Sequence, residues 1–185
     1  MKKLIVLTLT FFLCCSSVYS QVNLVKNPSL EDHWRCPVLL DEIALANYWS
    51  CIDTLHTYPA LGDTFGDPNC TPEYINACAI SSCCSEPHNG YFYQFPRTGF
   101  GMAQMMMYSD QTYTQPYYRD YLQGRLYSTL TAGQSYCVTF YVVMENGSSY
   151  AVNHMGAYFD DGSVDTNSYC GMPHPECLPQ VVSTT

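Results

Sequence analysis

The stretch over residues 130–144 constrains this chain most. Ala132-Gly133-Gln134 breaks the backbone, because glycine enters turn dihedrals without a Cβ clash. Beyond the break, Tyr136, Val138, Phe140, Val142 and Met144 share one face at period two. Cys137, Thr139, Tyr141 and Val143 share the other. Both faces are apolar or aromatic, which predicts an interior β-strand, covered on one side and in part on the other. The remaining chain then has to supply strands that pair with it.

Candidates for those strands are spaced by turns. Residues 22–31 read as a strand that breaks at Asn27-Pro28 and resumes at Ser29; Pro28 cannot donate to a ladder, so this strand is at an edge or kinked. Residues 43–51, carrying Trp49, residues 99–108 and residues 118–126 read as further strands. Residues 154–159 read as another, ended by Asp160-Asp161-Gly162, and residues 178–182 begin one more. A turn is expected at Glu145-Asn146-Gly147-Ser148 and a helical turn at Thr71-Pro72-Glu73-Tyr74-Ile75-Asn76. Residues 52–89, rich in Pro, Gly, Asp, Asn and Cys, read as long loops held by disulfides, of the kind that sits at a binding edge. No internal repeat and no convincing amphipathic helix occurs. The pattern is that of an all-β sandwich, and 185 residues give room for one domain with a sizeable core.

Residues 1–20 read as an export signal: Lys2 and Lys3, an apolar run from Leu4 to Leu13, then Val18-Tyr19-Ser20 before Gln21. The run is too short to span a bilayer comfortably, and no later segment is apolar enough to cross one. The expected protein is therefore secreted or held at the cell surface, its mature domain covering residues 21–185. Of 11 cysteines, nine lie beyond the leader. In an exported chain these read first as disulfides, and an odd count leaves at least one free or paired outside the chain. Connectivity stays open, with Cys36–Cys78 and Cys170–Cys177 as the favoured pairs. Zinc is disfavoured, since no pair of C-x-x-C elements occurs and Cys83 and Cys84 are adjacent.

Only 12% of residues are charged, and aromatic residues, 17 Tyr among them, make up 15%. Without the two leader lysines, five basic residues face 16 acidic ones, a net charge of −11. Such a surface repels phosphate backbones, so nucleic acid is not an expected partner. Catalysis is not expected either. There is no G-x-S-x-G turn, the five His lack H-E-x-x-H spacing, and nothing singles out two of the 16 acids as an acid–base pair.

A saccharide-binding face is the leading site candidate. Arg119, Tyr121, Gln123 and Arg125 share one face of a predicted strand, joined by Trp49, Tyr91, Tyr93 and Tyr141. Aromatic rings stack on the CH-rich faces of sugars, while guanidinium and amide groups bond their hydroxyls. The competing reading is an ordinary solvated outer face with Tyr packed between neighbours.

Several pieces together resemble a known family. They are Asn23-Leu24-Val25-Lys26-Asn27-Pro28-Ser29-Leu30-Glu31, Cys36-Pro37, Ala46-Asn47-Tyr48-Trp49, Glu73-Tyr74-Ile75-Asn76-Ala77-Cys78 and Gln94-Phe95-Pro96-Arg97-Thr98-Gly99. Tyr118-Arg119-Asp120-Tyr121-Leu122-Gln123, residues 130–142 and residues 150–159 continue the set. In order and spacing they resemble the galactose-binding-like jelly-roll modules at the start of large exported and surface proteins of gliding, Bacteroidota-type bacteria. The resemblance implies a non-catalytic module whose partner is a glycan or a cell-surface protein. The alternatives are a structural protein-contacting module without a sugar site, and a piece of a secreted enzyme whose catalytic domain lies beyond Thr185. No cofactor is implied beyond a structural calcium near the first strand, for which Glu31, Asp32, Asp160 and Asp161 are the candidate ligands. The chain departs from the pattern in its extra cysteines and in stopping at Thr185, short of the family's closing strands. About six strand candidates are counted where a jelly roll uses about eight, so the expectation is a sandwich incomplete at its C-terminus.

Overall fold

The computed structural model describes residues 22–51, 72–86, 93–107, 120–164 and 178–183. Its best-packed part grows from Ile43, Leu45, Ala46 and Tyr74, all essentially removed from solvent. Leu30, Trp49, Cys51, Ala103 and Leu122 pack around them. Burying an aliphatic or aromatic side chain of this size contributes roughly 1.5–3 kcal/mol, so this cluster is the main apolar anchor among the described residues.

Residues 43–51 do not form the single strand that the sequence predicts. Ile43–Leu45 is a 3-10 turn, and only Trp49–Ser50 (β1) is extended and paired. The cause lies just upstream. Glu42 is buried, and its carboxylate accepts hydrogen bonds from Val38 N at 2.6 Å, Leu39 N at 2.9 Å and Arg35 Nη2 at 2.9 Å. Residues 35–42 fold back around that carboxylate, and the 3-10 turn then swings Ile43 and Leu45 into the core.

The opening residues are likewise a turn rather than a resumed strand. Val25 makes a single bridge to Leu126. The Asn27 side-chain amide donates to the carbonyls of Asp32 at 2.7 Å and Asn47 at 3.0 Å, while its oxygen accepts from Asp32 N at 3.0 Å. This network closes the turn over Pro28 and Ser29 and holds Asn27 and Leu30 at positive φ, 48° and 59°, a region that costs a residue with a Cβ free energy.

Glu73–Asn76 (β2) pairs antiparallel with Gly101–Gln104 (β3), in register Glu73↔Gln104 to Asn76↔Gly101. A helical turn over residues 71–76 is thus overturned; strand β3 falls within the predicted one. Gln123–Gly124 (β4) pairs with β1, and Gly156–Ala157 (β5) with Val181–Val182 (β6), both antiparallel. The described sheets are all two-stranded and no α-helix occurs among the described residues, which fits an all-β class. No helix of these residues is long and apolar enough to cross a membrane.

Two expected turns are present. Gln134 N bonds Thr131 O at 3.2 Å around Gly133, whose φ is 83°, and Ser148 N bonds Glu145 O at 3.1 Å. The strand expected between them is not formed. Residues 136–144 join no ladder, and Phe140, Val142 and Val143 are 42%, 63% and 65% exposed. A strand is interior only when neighbours bond both of its edges and cover its faces. Among the described residues none pairs with its edges in a ladder.

Cys36 and Cys78 form a disulfide with Cα atoms 5.5 Å apart, as expected. Cys83 and Cys84 are joined to each other. Cys170 and Cys177, like residues 1–20 that the sequence reads as an export signal, lie outside the described residues.

Candidate functional site

The sequence-predicted saccharide face is divided by the structure. Tyr91 and Arg119 lie outside the described residues. Trp49, Gln123 and Arg125 come together where β1 meets β4. Trp49 is half-buried; its indole N–H donates to Asn27 O at 2.8 Å, and its ring lies over Gly124 so closely that a Cβ there would stand 2.7 Å from it. Gln123 Oε1 accepts from Ser50 Oγ at 3.1 Å. These two residues position the rim, and its open surface is built from others that sequence reasoning missed.

Those others are Lys26, Tyr48 and Tyr127. The Lys26 ammonium sits over both tyrosine rings, 4.8 Å from the Tyr48 centroid and 5.5 Å from the Tyr127 centroid. Tyr48 and Tyr127 are 47% and 67% exposed. Three backbone bonds tie the patch to β4 and its flanks: Lys26 N to Arg125 O at 2.8 Å, Arg125 N to Tyr48 O at 3.1 Å, and Tyr127 N to Leu24 O at 2.8 Å. Tyr48 stands at φ 72°, an uncommon conformation for an aromatic residue and the sort of local strain found at binding sites. Two open rings flanking an ammonium offer stacking surfaces and a three-proton donor to one ligand. The only sequence signal was the adjacency of Tyr48 and Trp49.

Tyr93 and Tyr141 belong to a separate group. Arg97 stacks on the Tyr141 ring at 3.4 Å, Tyr93 packs edge-on against Phe95 at 5.5 Å, and Asn146 Nδ2 donates to Tyr93 O at 2.8 Å. Tyr121, half-buried, lies at the start of the segment leading into β4.

The candidate calcium ligands are not assembled. Both Glu31 carboxylate oxygens accept backbone N–H bonds, from Phe100 at 2.9 and 3.0 Å and from Gly101 at 2.9 Å. Gly99, at φ 67°, leaves room for that carboxylate; a Cβ there would collide with Glu31 Oε1. The Phe100 and Gly101 N–H donors already engage both carboxylate oxygens. Asp32 Oδ1 accepts from Asn47 at 2.9 Å, while Asp160 and Asp161 accept from Gly162 N and Ser163 N in their own turn. The side-chain bond from Ser163, and then its backbone bond, hold the Asp161 carboxyl below the usual carboxylate range.

Two further groupings come from the structure. Glu73 Oε2 is buried with no hydrogen-bond partner among the described residues, and burial, followed by the charges of Asp41, Asp120 and Glu145, pushes its carboxyl up to about 8. Burial also raises Glu145 to about 7. Separately, His33, Cys36 and Cys78 hold their nitrogen and sulfur atoms within 4.8 Å of one another. The spacing His33-x-x-Cys36 was the available signal, but its third member lies far along the chain.

No family model, curated protein or solved structure matches this chain.

Proposed function

We propose that this domain is an exported, non-catalytic carbohydrate-binding or adhesion module of a larger cell-surface protein, of the galactose-binding-like kind. The observation that carries the reading is the Lys26–Tyr48–Tyr127 patch beside Arg125. In a chain with 16 acidic residues and seven basic ones, an ammonium held over two exposed rings is a concentrated donor-and-stacking surface. A sugar ring laid on Tyr127 would present hydroxyls to Lys26. A glycan array on the mature domain, spanning plant, algal and bacterial glycans, tests it. Binding to at least one glycan class is expected, with Tyr127→Ala weakening it about tenfold, the equivalent of one lost aromatic contact. Silence across the array overturns it.

A second reading, a protein-contacting structural module, is favoured by a different observation. Val138, Phe140 and Val142 line an open groove of about 380 Å³ together with Val152, Met155 and Val181, its surface shared between apolar side chains and polar groups such as Thr139 and Ser183. An array without hits would leave this reading in place.

A further inference from the structure

We propose that His33, Cys36 and Cys78 form a redox-gated site for a zinc-class divalent cation, with the Cys36–Cys78 disulfide and the metal as mutually exclusive occupants.

The geometry is that of a three-donor site held slightly closed. Cys78 Sγ lies 3.5 Å from His33 Nε2. Ligands on a tetrahedral zinc, with bonds of about 2.3 Å to sulfur and 2.05 Å to nitrogen, stand about 3.6 Å apart, so this pair already has the required separation. Cys36 Sγ is bonded to Cys78 Sγ, with Cα atoms 5.5 Å apart. Once that bond is open, rotation about each Cα–Cβ bond can take the sulfurs to the roughly 3.8 Å that two zinc thiolates need.

The imidazole is oriented for the task. His33 Nδ1 is 2.9 Å from Glu31 O. A carbonyl accepts only, so Nδ1 carries the proton and Nε2 presents its lone pair to the sulfurs, the backing that metal-bound histidines receive. The supports are rigid. The His33 ring packs against buried Tyr74 with centroids 6.0 Å apart. Its backbone bridges Ala46 in the core. Cys78 N bonds Asn76 Oδ1 at 2.9 Å, and buried Asn76 bonds the Tyr74 hydroxyl at 2.9 Å. All three donors are half-buried, within reach of solvent ions but partly shielded.

The chemistry balances with a dithiol as reductant. Two electrons and two protons pass from the dithiol, which closes to its own disulfide, to Cys36 and Cys78, which become thiols. The cation then displaces both thiol protons to solvent and binds two thiolates and a neutral imidazole. The resulting centre has no net charge and keeps a fourth position for water. Either occupant ties the loop at residue 36 to the end of β2, so the cross-link survives a change of redox state.

Cobalt(II) is the probe, since thiolate ligation gives it a charge-transfer band. The oxidised mature domain is alkylated to cap Cys137, an exposed free thiol. It is then reduced with a phosphine under nitrogen and titrated. A tetrahedral thiolate–cobalt spectrum is expected in the reduced protein and none in the oxidised protein, with zinc displacing cobalt. His33→Gln keeps the disulfide and the oxidised fold; it should weaken cobalt binding by more than about 100-fold, beyond the loss seen for outer-shell groups. Cys36→Ser should remove the band. Cobalt binding of equal strength in wild type, His33→Gln and Cys36→Ser would place the metal on other thiols and overturn the proposal. So would a reduced wild type that shows no band, or one that unfolds and is not refolded by metal.

Discussion

Two apolar regions of this chain meet opposite fates. Residues 43–46, with β2, sit at the centre of a packed cluster, where Leu45 and Tyr74 have no exposed surface. Residues 136–144 carry a cleaner hydrophobic alternation, yet Val142 and Val143 are 63% and 65% exposed. The difference lies in what surrounds them. Around Leu45, polar side chains bend the backbone into shape: Glu42 gathers three donors, and Asn27 ties together Asp32 and Asn47. Around Val142 no described segment supplies ladder partners. Burial of an apolar residue is thus decided by the polar groups that place its neighbours, as well as by its own period.

The contrast can be broken most strongly at the Cys36–Cys78 disulfide, which cross-links only the packed region across a sequence separation of 42. Replacing both residues with serine should lower stability by about 4 kcal/mol, the chain-entropy value for a ring of that size. Chemical denaturation should show that loss, while exposure of residues 136–144 to solvent, read by hydrogen exchange, stays as it was.

The pH dependence of the same cluster is the next largest effect. Glu73 begins β2, and burial first, then the charges of Asp41, Asp120 and Glu145, raise its carboxyl to about 8. Below its ordinary value of 4.5 the carboxyl is protonated in both states, and no stability is lost. Between there and about pH 8 the unfolded chain releases a proton that the folded chain retains. Stability therefore falls as pH rises through that window, by at most about 4 kcal/mol. Glu73→Gln should match the wild type near pH 5 and exceed it at pH 8 in parallel melting curves. A wild type that gains stability over this range would contradict the burial of that carboxyl.

A direct pairing of the regions gives the smallest changes. Leu45→Ala should cost about 3 kcal/mol, the usual penalty for emptying a buried leucine site. Val142→Ala should stay within about 0.5 kcal/mol, as surface substitutions do. Equal losses in urea titrations would mean that residues 136–144 are covered in solution.

Local chemistry was the legible part of this fold. Gly133 and the Glu145–Ser148 turn could be read from turn residues, β3 and β6 from apolar runs, and the Cys36–Cys78 pair was anticipated. The 3-10 turn at Ile43–Leu45 was not legible, because it depends on a buried Glu42 that looks like any surface acid. β2 was misread because Pro72 before Glu73 imitates the start of a helix. Pairing with β3 outweighed that signal. Of the predicted saccharide residues, Trp49, Gln123 and Arg125 are brought together where β1 meets β4, since they flank recognisable strand segments. Lys26, Tyr48 and Tyr127 were missed because they come from three separate segments joined only by backbone bonds. The four acids proposed for calcium are not gathered at one point, for the same reason in reverse. Four acids close in type were assumed to be close in space, whereas Glu31 faces amide protons and Asp160 and Asp161 close their own turn.

The bare stripe through Phe140 and Val142 bears on how copies of this domain behave in a crowd. Each copy carries the same large negative surplus, and repulsion between them reaches about 10 Å in 0.1 M salt but only about 3 Å in 1 M. Attraction between greasy surfaces has no such dependence and strengthens with salts excluded from protein surfaces. Dilute buffer therefore keeps neighbours apart, and brine lets stripe meet stripe, which makes ionic strength the colloidal control on this molecule.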